Sequence, residues 1–326
     1  MGEALAVSTR GEDPREVLAQ AIADFEEVPH EAPIEPHARA ARGMALVARG
    51  HEERARGLDA RASFRAAIAD LEVALDQSPS DRSSRLGLCG AWTDLGGAQR
   101  LQGEDATDPY EKAIAACQEA PGMETDGADL RQARAIARTR LGVLRAERGL
   151  DPREELLRAI ADCDAILLLD PVSPVALLQR SLAKPHLARA STASGTDSLH
   201  LFDEAIADAD ALLGRIPGTW QALVARGQAW SGKAEAGRGE GRRESLERAL
   251  ADLDAAAALA PQVMELHYAL GLAYRRIAGE SAANPREALG KAIREFDEVT
   301  RLAPSLAMAH LGRAGTGEDR ATSEGA

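Results

Sequence analysis

Seven Ala-Ile or Ala-Leu pairs stand at a nearly constant period along the 326 residues, the second member at Ile22, Ile68, Ile114, Ile160, Ile206, Leu250 and Ile293. Four successive steps are 46 residues, and the last two are 44 and 43. Two positions after this anchor stands an acidic residue in every copy but the third, which has Ala116. A period of this size marks a repeat array, in which each unit buries its apolar face only against its neighbours. Length alone would allow two or three globular domains, but the repeat overrides that prior and predicts one array with an extended surface.

Around each anchor apolar residues fall at helical spacing: Ala21, Ile22, Phe25 and Val28 in the first copy, Ala292, Ile293, Phe296 and Val299 in the last. That pattern predicts an amphipathic helix. Alanine always precedes the anchor, as where another helix comes too close for a larger side chain. Eleven residues after the anchor, proline stops the helix in six copies, at Pro33, Pro79, Pro171, Pro217, Pro261 and Pro304, while the third breaks early at Pro121. Ten residues further is a second periodic site, always small: Gly43, Cys89, Ala135, Ser181, Gly227, Gly271 and Ala314. Each unit therefore reads as a hairpin, with helix A carrying the small site and helix B the anchor.

Tyr268-x-Leu270-Gly271-x-x-Tyr274, then Ala292-Ile293-x-x-Phe296-x-x-Val299 and Pro304, resembles the tetratricopeptide repeat (TPR) family, and the resemblance covers about residues 14–316. It implies an all-α, right-handed superhelical solenoid of antiparallel helix hairpins, about 14 helices in this chain. One departure is systematic. From small site to anchor there are 25 residues in four units, then 23 and 22, where the family's repeat of about 34 residues leaves room for about 13. Shared between two helices, the excess is about six residues each, or roughly 9 Å, so taller hairpins are expected.

Asp13-Pro14-Arg15-Glu16, Asp151-Pro152-Arg153-Glu154 and Asn284-Pro285-Arg286-Glu287 each supply an N-cap, a proline at the first helical position and a capping-box glutamate for helix B. Asp108-Pro109-Tyr110-Glu111 reads as a later-starting relative. Turns such as Gly149-Leu150 and Gly195-Thr196 close the hairpins, and the glycine-rich, charged stretch 232–244 reads as a mobile tip. The array occupies residues 13–316, as an orphan helix B, six A–B units and an orphan helix A, with disordered ends at 1–12 and 317–326. The orphans either cap the array or mark a piece of something longer, with end-to-end self-association as a further consequence of exposed end faces.

The formal charge of −13 is spread along the chain, which argues against a surface that tracks nucleic-acid phosphates. Arginine far outnumbers lysine and Asn284 is the lone asparagine, a bias that suits a GC-rich bacterial genome. No segment approaches the ~20 apolar residues of a membrane span and the N-terminus lacks a secretory pattern, so a cytoplasmic location is expected. Three cysteines, Cys89, Cys117 and Cys163, show no metal-ligand spacing, and their odd number suits a reducing compartment better than a disulfide framework. All three fall on core-facing positions and read as small buried hydrophobes. The seven histidines form no HxxxH or HExxH pair, and no phosphate loop is present: Ser231-Gly232-Lys233 is followed by alanine. No metal, cofactor or catalytic constellation is indicated. Trp92, Trp230 and Tyr274 occupy one equivalent core site and are not a stacking platform.

Arginine precedes the small site in five copies and aspartate lies two after the anchor in five, and their losses coincide within units. Arg42 goes with Asp70, Arg134 with Asp162, Arg180 with Asp208 and Arg226 with Asp252, while Leu88 goes with Ala116 and Leu270 with Glu295. Joint loss favours an ion pair inside each hairpin over a charged ladder offered to a ligand, since buried charges are normally paired. In the TPR family ligands lie along the concave surface made by the A helices. The resemblance transfers that role to Gln132, Thr139 and Arg140, to Gln221, Gln228 and Ser231, and to Tyr268, Arg275 and Arg276. The family's carboxylate clamp for chaperone tails needs lysine and asparagine in the groove, and this chain has no asparagine there. The leading expectation is a non-catalytic scaffold binding a protein or peptide segment. The alternative is a regulatory or sensor module of a larger bacterial signalling protein or enzyme.

Overall fold

A computed structural model describes residues 20, 36–118, 127–193, 198–236, 239–280 and 285–302. Among them the chain forms twelve helices: α1 (Pro36–Ala55), α2 (Arg61–Gln77), α3 (Arg82–Leu101), α4 (Thr107–Ala116), α5 (Ala128–Glu147), α6 (Arg153–Leu169), α7 (Pro174–Ala193), α8 (His200–Arg215), α9 (Trp220–Ala236), α10 (Gly239–Leu259), α11 (Met264–Glu280) and α12 (Pro285–Leu302). Odd-numbered helices are the A members and even-numbered ones the B members. The orphan helices anchored at Ile22 and Ala314, and both terminal segments, lie outside the described residues apart from Gln20. Contacts divide the chain into two compact units, Met1–Ala137 and Arg138–Ala326, with the boundary inside α5.

The helix ends follow from local chemistry. Pro79, Pro171, Pro217 and Pro261 each stand two residues beyond the end of a B helix, where a ring without an N–H cannot extend the ladder. At the other end of the hairpin, Gly57, Gly103 and Gly149 adopt φ of 70°, 76° and 71°. Leu58 N, Glu104 N and Leu150 N then reach back to the carbonyls of Glu53, Gln99 and Arg145 at 2.9, 3.0 and 2.8 Å, the Schellman arrangement that closes a helix C-terminus. A Cβ on Gly149 would meet nothing within 4 Å, so its conformation alone makes the demand. Gly149→Ala is expected to cost about 1 kcal/mol, read as a lowered midpoint in urea.

Two residues after each of these glycines, and one before the N-cap, an aspartate holds the first backbone N–H of the next B helix. Asp59, Asp105 and Asp151 accept from the backbone N–H of Arg61, Thr107 and Arg153 at 3.1, 2.8 and 3.0 Å. This corrects the reading of Asp108-Pro109 as a late start: α4 begins at Thr107, with Ala106 at its N-cap and Asp105 just before it, and Pro109 is buried inside the first turn, where its missing N–H has no intrahelical partner to lose. The Arg61 guanidinium, hydrogen-bonded to Asp59, holds that carboxyl down to about 2. A carboxyl lowered on folding stabilises the fold above its unfolded value near 4, and the contribution disappears as pH falls through about 2. Asp59→Asn is therefore expected to flatten the stability profile across that acid window and to change its slope little at neutral pH.

Within each unit, A and B members pack as small against large. In the first unit a Cβ on Gly43 would stand 2.8 Å from Leu71 Cγ, and in the second Gly227 faces Leu253 at 3.1 Å and Gly271 faces Phe296 at 2.7 Å. The equivalent pair in α7 and α8, Ser181 and Ala209, is also fully buried. A second row lies seven residues further along helix A: Gly50 under Phe64 (2.5 Å), Gly96 under Tyr110 (2.6 Å) and Gly142 under Leu156 (2.8 Å). These aromatic and leucine side chains are at most 2 % exposed. Four of the A helices run 20 residues, about 30 Å at the helical rise, which gives room for both rows. The glycine-rich stretch 232–244 is also helical in most of its length, against the mobile tip expected of it. Gly232 is glycine because the Phe202 ring occupies the space of its Cβ, and only 237–238 fall outside the described residues.

Candidate functional site

Three arginines of the A helices grip aspartates of the B helices with two hydrogen bonds each: Arg42 and Asp70 (2.6 and 2.5 Å), Arg180 and Asp208 (2.8 and 2.6 Å), Arg226 and Asp252 (2.9 and 2.6 Å). The three carboxylates are 4, 6 and 7 % exposed. Bidentate, desolvated pairs of this kind are the strong form of the interaction. The expected pairing of Arg134 with Asp162 falls across the boundary between the units; inside the second unit Asp162 accepts from Arg138 Nη1 at 2.6 Å.

The acidic position is thus a hub that helix A reaches from more than one turn. Lys184, three residues beyond the small site, joins Asp208 at 3.0 Å, and His267, four before it, meets Glu295 at 2.7 Å. Arg180 and Arg226 also reach back to the preceding B helix, to Asp164 and Asp210 at 2.6 and 2.5 Å. Tyr274 makes the same link to Asp254 at 3.0 Å, and burial, reinforced by that carboxylate, pushes its hydroxyl pKa up. The aromatic row is likewise occupied from within: Lys112 lies 4.7 Å over Trp92, Arg248 4.7 Å over Trp230 and Lys291 5.5 Å over Tyr274. These charges and rings are committed to holding hairpins together.

The groove candidates divide. In the first unit Gln132 is half-buried. In the second, Thr139 and Ser231 are 7 and 8 % exposed, and Tyr268 is set edge-on against Phe296 at 5.8 Å, so these three serve packing. Arg140 and Gln221 are half-buried. Gln228 accepts from Arg189 Nη2 through its backbone oxygen at 3.2 Å, while its side-chain Oε1 is shielded and accepts no hydrogen bond among the described residues. Arg275 and Arg276 come together in an open cleft of about 270 Å³ between α9, α10 and α11, with Glu235, Arg242, Leu246, Ala234 and Gly279. Glu235 there is held by Arg276 and by Arg189 (2.9 Å), so one carboxylate ties the A helices α7, α9 and α11 together.

The cleft is cationic, with three arginines against one glutamate in its lining, on a chain of net charge −13. Its floor is apolar: Ala234 is 1 % and Leu246 7 % exposed. Among the described residues there is no group of three or more metal-ligating side chains, and no helix is long and apolar enough to cross a membrane.

Antiparallel A–B hairpins, a small site on A closed by B, and proline just beyond B are the geometry implied by the repeat motif. The fold is TPR-like. No protein-family model matches the chain, and no curated protein matches it. Among solved structures it is similar to a thermophilic TPR protein of Thermus thermophilus, at 21 % identity over 57 % of this chain and 87 % of that one, with a TM-score of 0.39. The nuclear import adaptor Nro1 of S. pombe is 14 % identical over 82 % of this chain and 94 % of its own, TM-score 0.46. The human IFIT1 dimer with m7Gppp-AAAA is 14 % identical over 92 % and 67 %, TM-score 0.48.

Beyond Arg275 and Arg276 the cleft extends onto the turns by which these TPR-like hairpins exceed the usual repeat, which is why the transferred positions stopped short of Arg189, Glu235 and Arg242. A signal was present: Arg189 and Glu235 each stand eight residues after a small site, two turns beyond the Gln228 position on the same helical face and about one turn beyond that of Arg276.

Proposed function

We propose that this chain is a non-catalytic, cytoplasmic TPR-like scaffold that binds a protein segment on the A-helix face of its second unit, centred on the cleft between α9, α10 and α11. The observation that carries the reading is the conjunction of Arg242, Arg275 and Arg276 with the apolar floor of Ala234 and Leu246. Guanidinium groups favour carboxylates, and the floor accepts an aliphatic side chain, so the segment that fits is an acidic peptide with an interspersed apolar residue. A nucleic-acid strand fits less well, because cationic lining is local and the rest of the chain is acidic.

Crosslinking in the native host followed by peptide mapping tests this. The expected result is a partner attached near Arg242 or Arg275 in the parent chain and lost, about tenfold or more, in the double variant Arg275→Ala/Arg276→Ala. Crosslinks confined to the first or last helix, unchanged in that variant, would overturn it in favour of a regulatory module docked through its ends.

A further inference from the structure

The hairpin of α3 and α4 is closed differently from its neighbours. Leu88 and Ala116 stand where Arg42 and Asp70 stand in α1 and α2, so the ion pair has no counterpart there. Its B helix is also the shortest described, 10 residues against 16 in α8 and 21 in α10. At the next position of each helix, which in the first hairpin holds the small site Gly43 and its partner Leu71, stand Cys89 and Cys117, fully buried and joined as a disulfide, with the same separation of 28 residues as Arg42 and Asp70 or Arg180 and Asp208. This corrects the expectation of three free cysteines: the register that brings an arginine to an aspartate brings these two Cα atoms to 5.4 Å, within the normal range for the bond. Cys163 remains free and buried, its thiol pushed up to about 12 chiefly by burial.

We propose that Cys89 and Cys117 form a thiol–disulfide exchange site that makes the integrity of this hairpin depend on redox state. Oxidised, the bond closes a hairpin that lacks the ion pair, standing where Gly43 packs on Leu71 in the first hairpin, and because Cys117 caps α4 it pins the end of the shortest helix described. Reduced, α4 keeps its packing and the Lys112–Trp92 contact but loses its covalent tie to α3. The reagent is a small disulfide such as oxidised glutathione. One protein thiolate attacks it, forming a mixed disulfide and releasing one glutathione thiolate. The second protein thiolate then attacks the protein sulfur of that mixed disulfide and releases the other. Two protein thiols thus give up two electrons and two protons, and one glutathione disulfide becomes two thiols; a dithiol reverses the step. Both sulfurs are buried, so exchange proceeds through opening of α4, whose end carries Cys117. In a reducing compartment such a bond is conditional rather than permanent.

The test uses the full chain equilibrated with oxidised glutathione or with dithiothreitol, then alkylated with iodoacetamide in denaturant and weighed intact. One alkylated cysteine is expected after oxidation and all three after reduction. Hydrogen exchange of the α4 amides is expected to be at least tenfold faster in the reduced chain, with α2 and α8 unchanged. Three alkylated cysteines in the oxidised sample, or equal α4 exchange in the two states, would overturn the proposal. Cys117→Ser is expected to exchange fast in α4 under both conditions, and slow exchange in that variant would overturn it as well; if the variant does not fold, the two redox states of the parent chain decide alone.

Discussion

Arg226→Ala is expected to lower the free energy of unfolding by about 3 kcal/mol, the low end of the range for breaking a buried pair, since the Arg226 side chain keeps 26 % of its exposure. The loss arises because Asp252, 7 % exposed, loses both hydrogen bonds from the guanidinium and is left as a desolvated carboxylate. Removing Asp252 as well should return about 1 kcal/mol or more, since the unpaired charge goes with it. Arg180→Ala should cost less than Arg226→Ala, because Asp208 retains Lys184 at 3.0 Å. Urea denaturation of the singles and the double gives the coupling directly. Strictly additive effects would show that the pair does not act as a clamp.

Two glycines of α3 are expected to respond to alanine with opposite signs. At Gly96 a Cβ would stand 2.6 Å from the ring of Tyr110, which is 2 % exposed and has no room to retreat. Overpacking there should cost about 2 kcal/mol, and Gly96→Val about 3 kcal/mol. At Gly90 a Cβ would meet nothing within 4 Å. Gly90→Ala should therefore stabilise by somewhat under about 1 kcal/mol, through higher helix propensity and a less flexible unfolded chain. Thermal melts of the two variants against the parent check the signs; a loss at both positions would show that close approach is not what glycine serves at Gly96.

Hairpins, their proline stops and the Arg–Asp register were legible because each repeats at the same offset in several copies. What escaped was whatever the repeat expresses through different residues on one face. Lys184 and His267 stand at other turns of helix A than Arg42, yet a turn of helix brings positions four before, one before and three after the small site to the same acidic hub. Gly50, Gly96 and Gly142 are spaced by 46 residues, but glycine in a helix reads as a weakness until its partner is known. The cysteine pair was hidden by an odd count, though its separation of 28 residues equals that of Arg42 and Asp70. Arg242 and Glu235 lie on turns for which the resembled family has no counterpart, and no offset borrowed from it could reach them.

The closing contacts of a hairpin, whether arginine to aspartate, glycine to phenylalanine or cysteine to cysteine, have both partners inside one copy of the repeat. Duplication of such a segment carries lock and key together, so an array of this kind can lengthen without compensating changes elsewhere in the gene. The same self-sufficiency makes the hairpin a cassette for design. A copy closed by glycine and leucine could stand in for one closed by a disulfide, trading redox sensitivity for permanence while leaving the surface offered to partners in place.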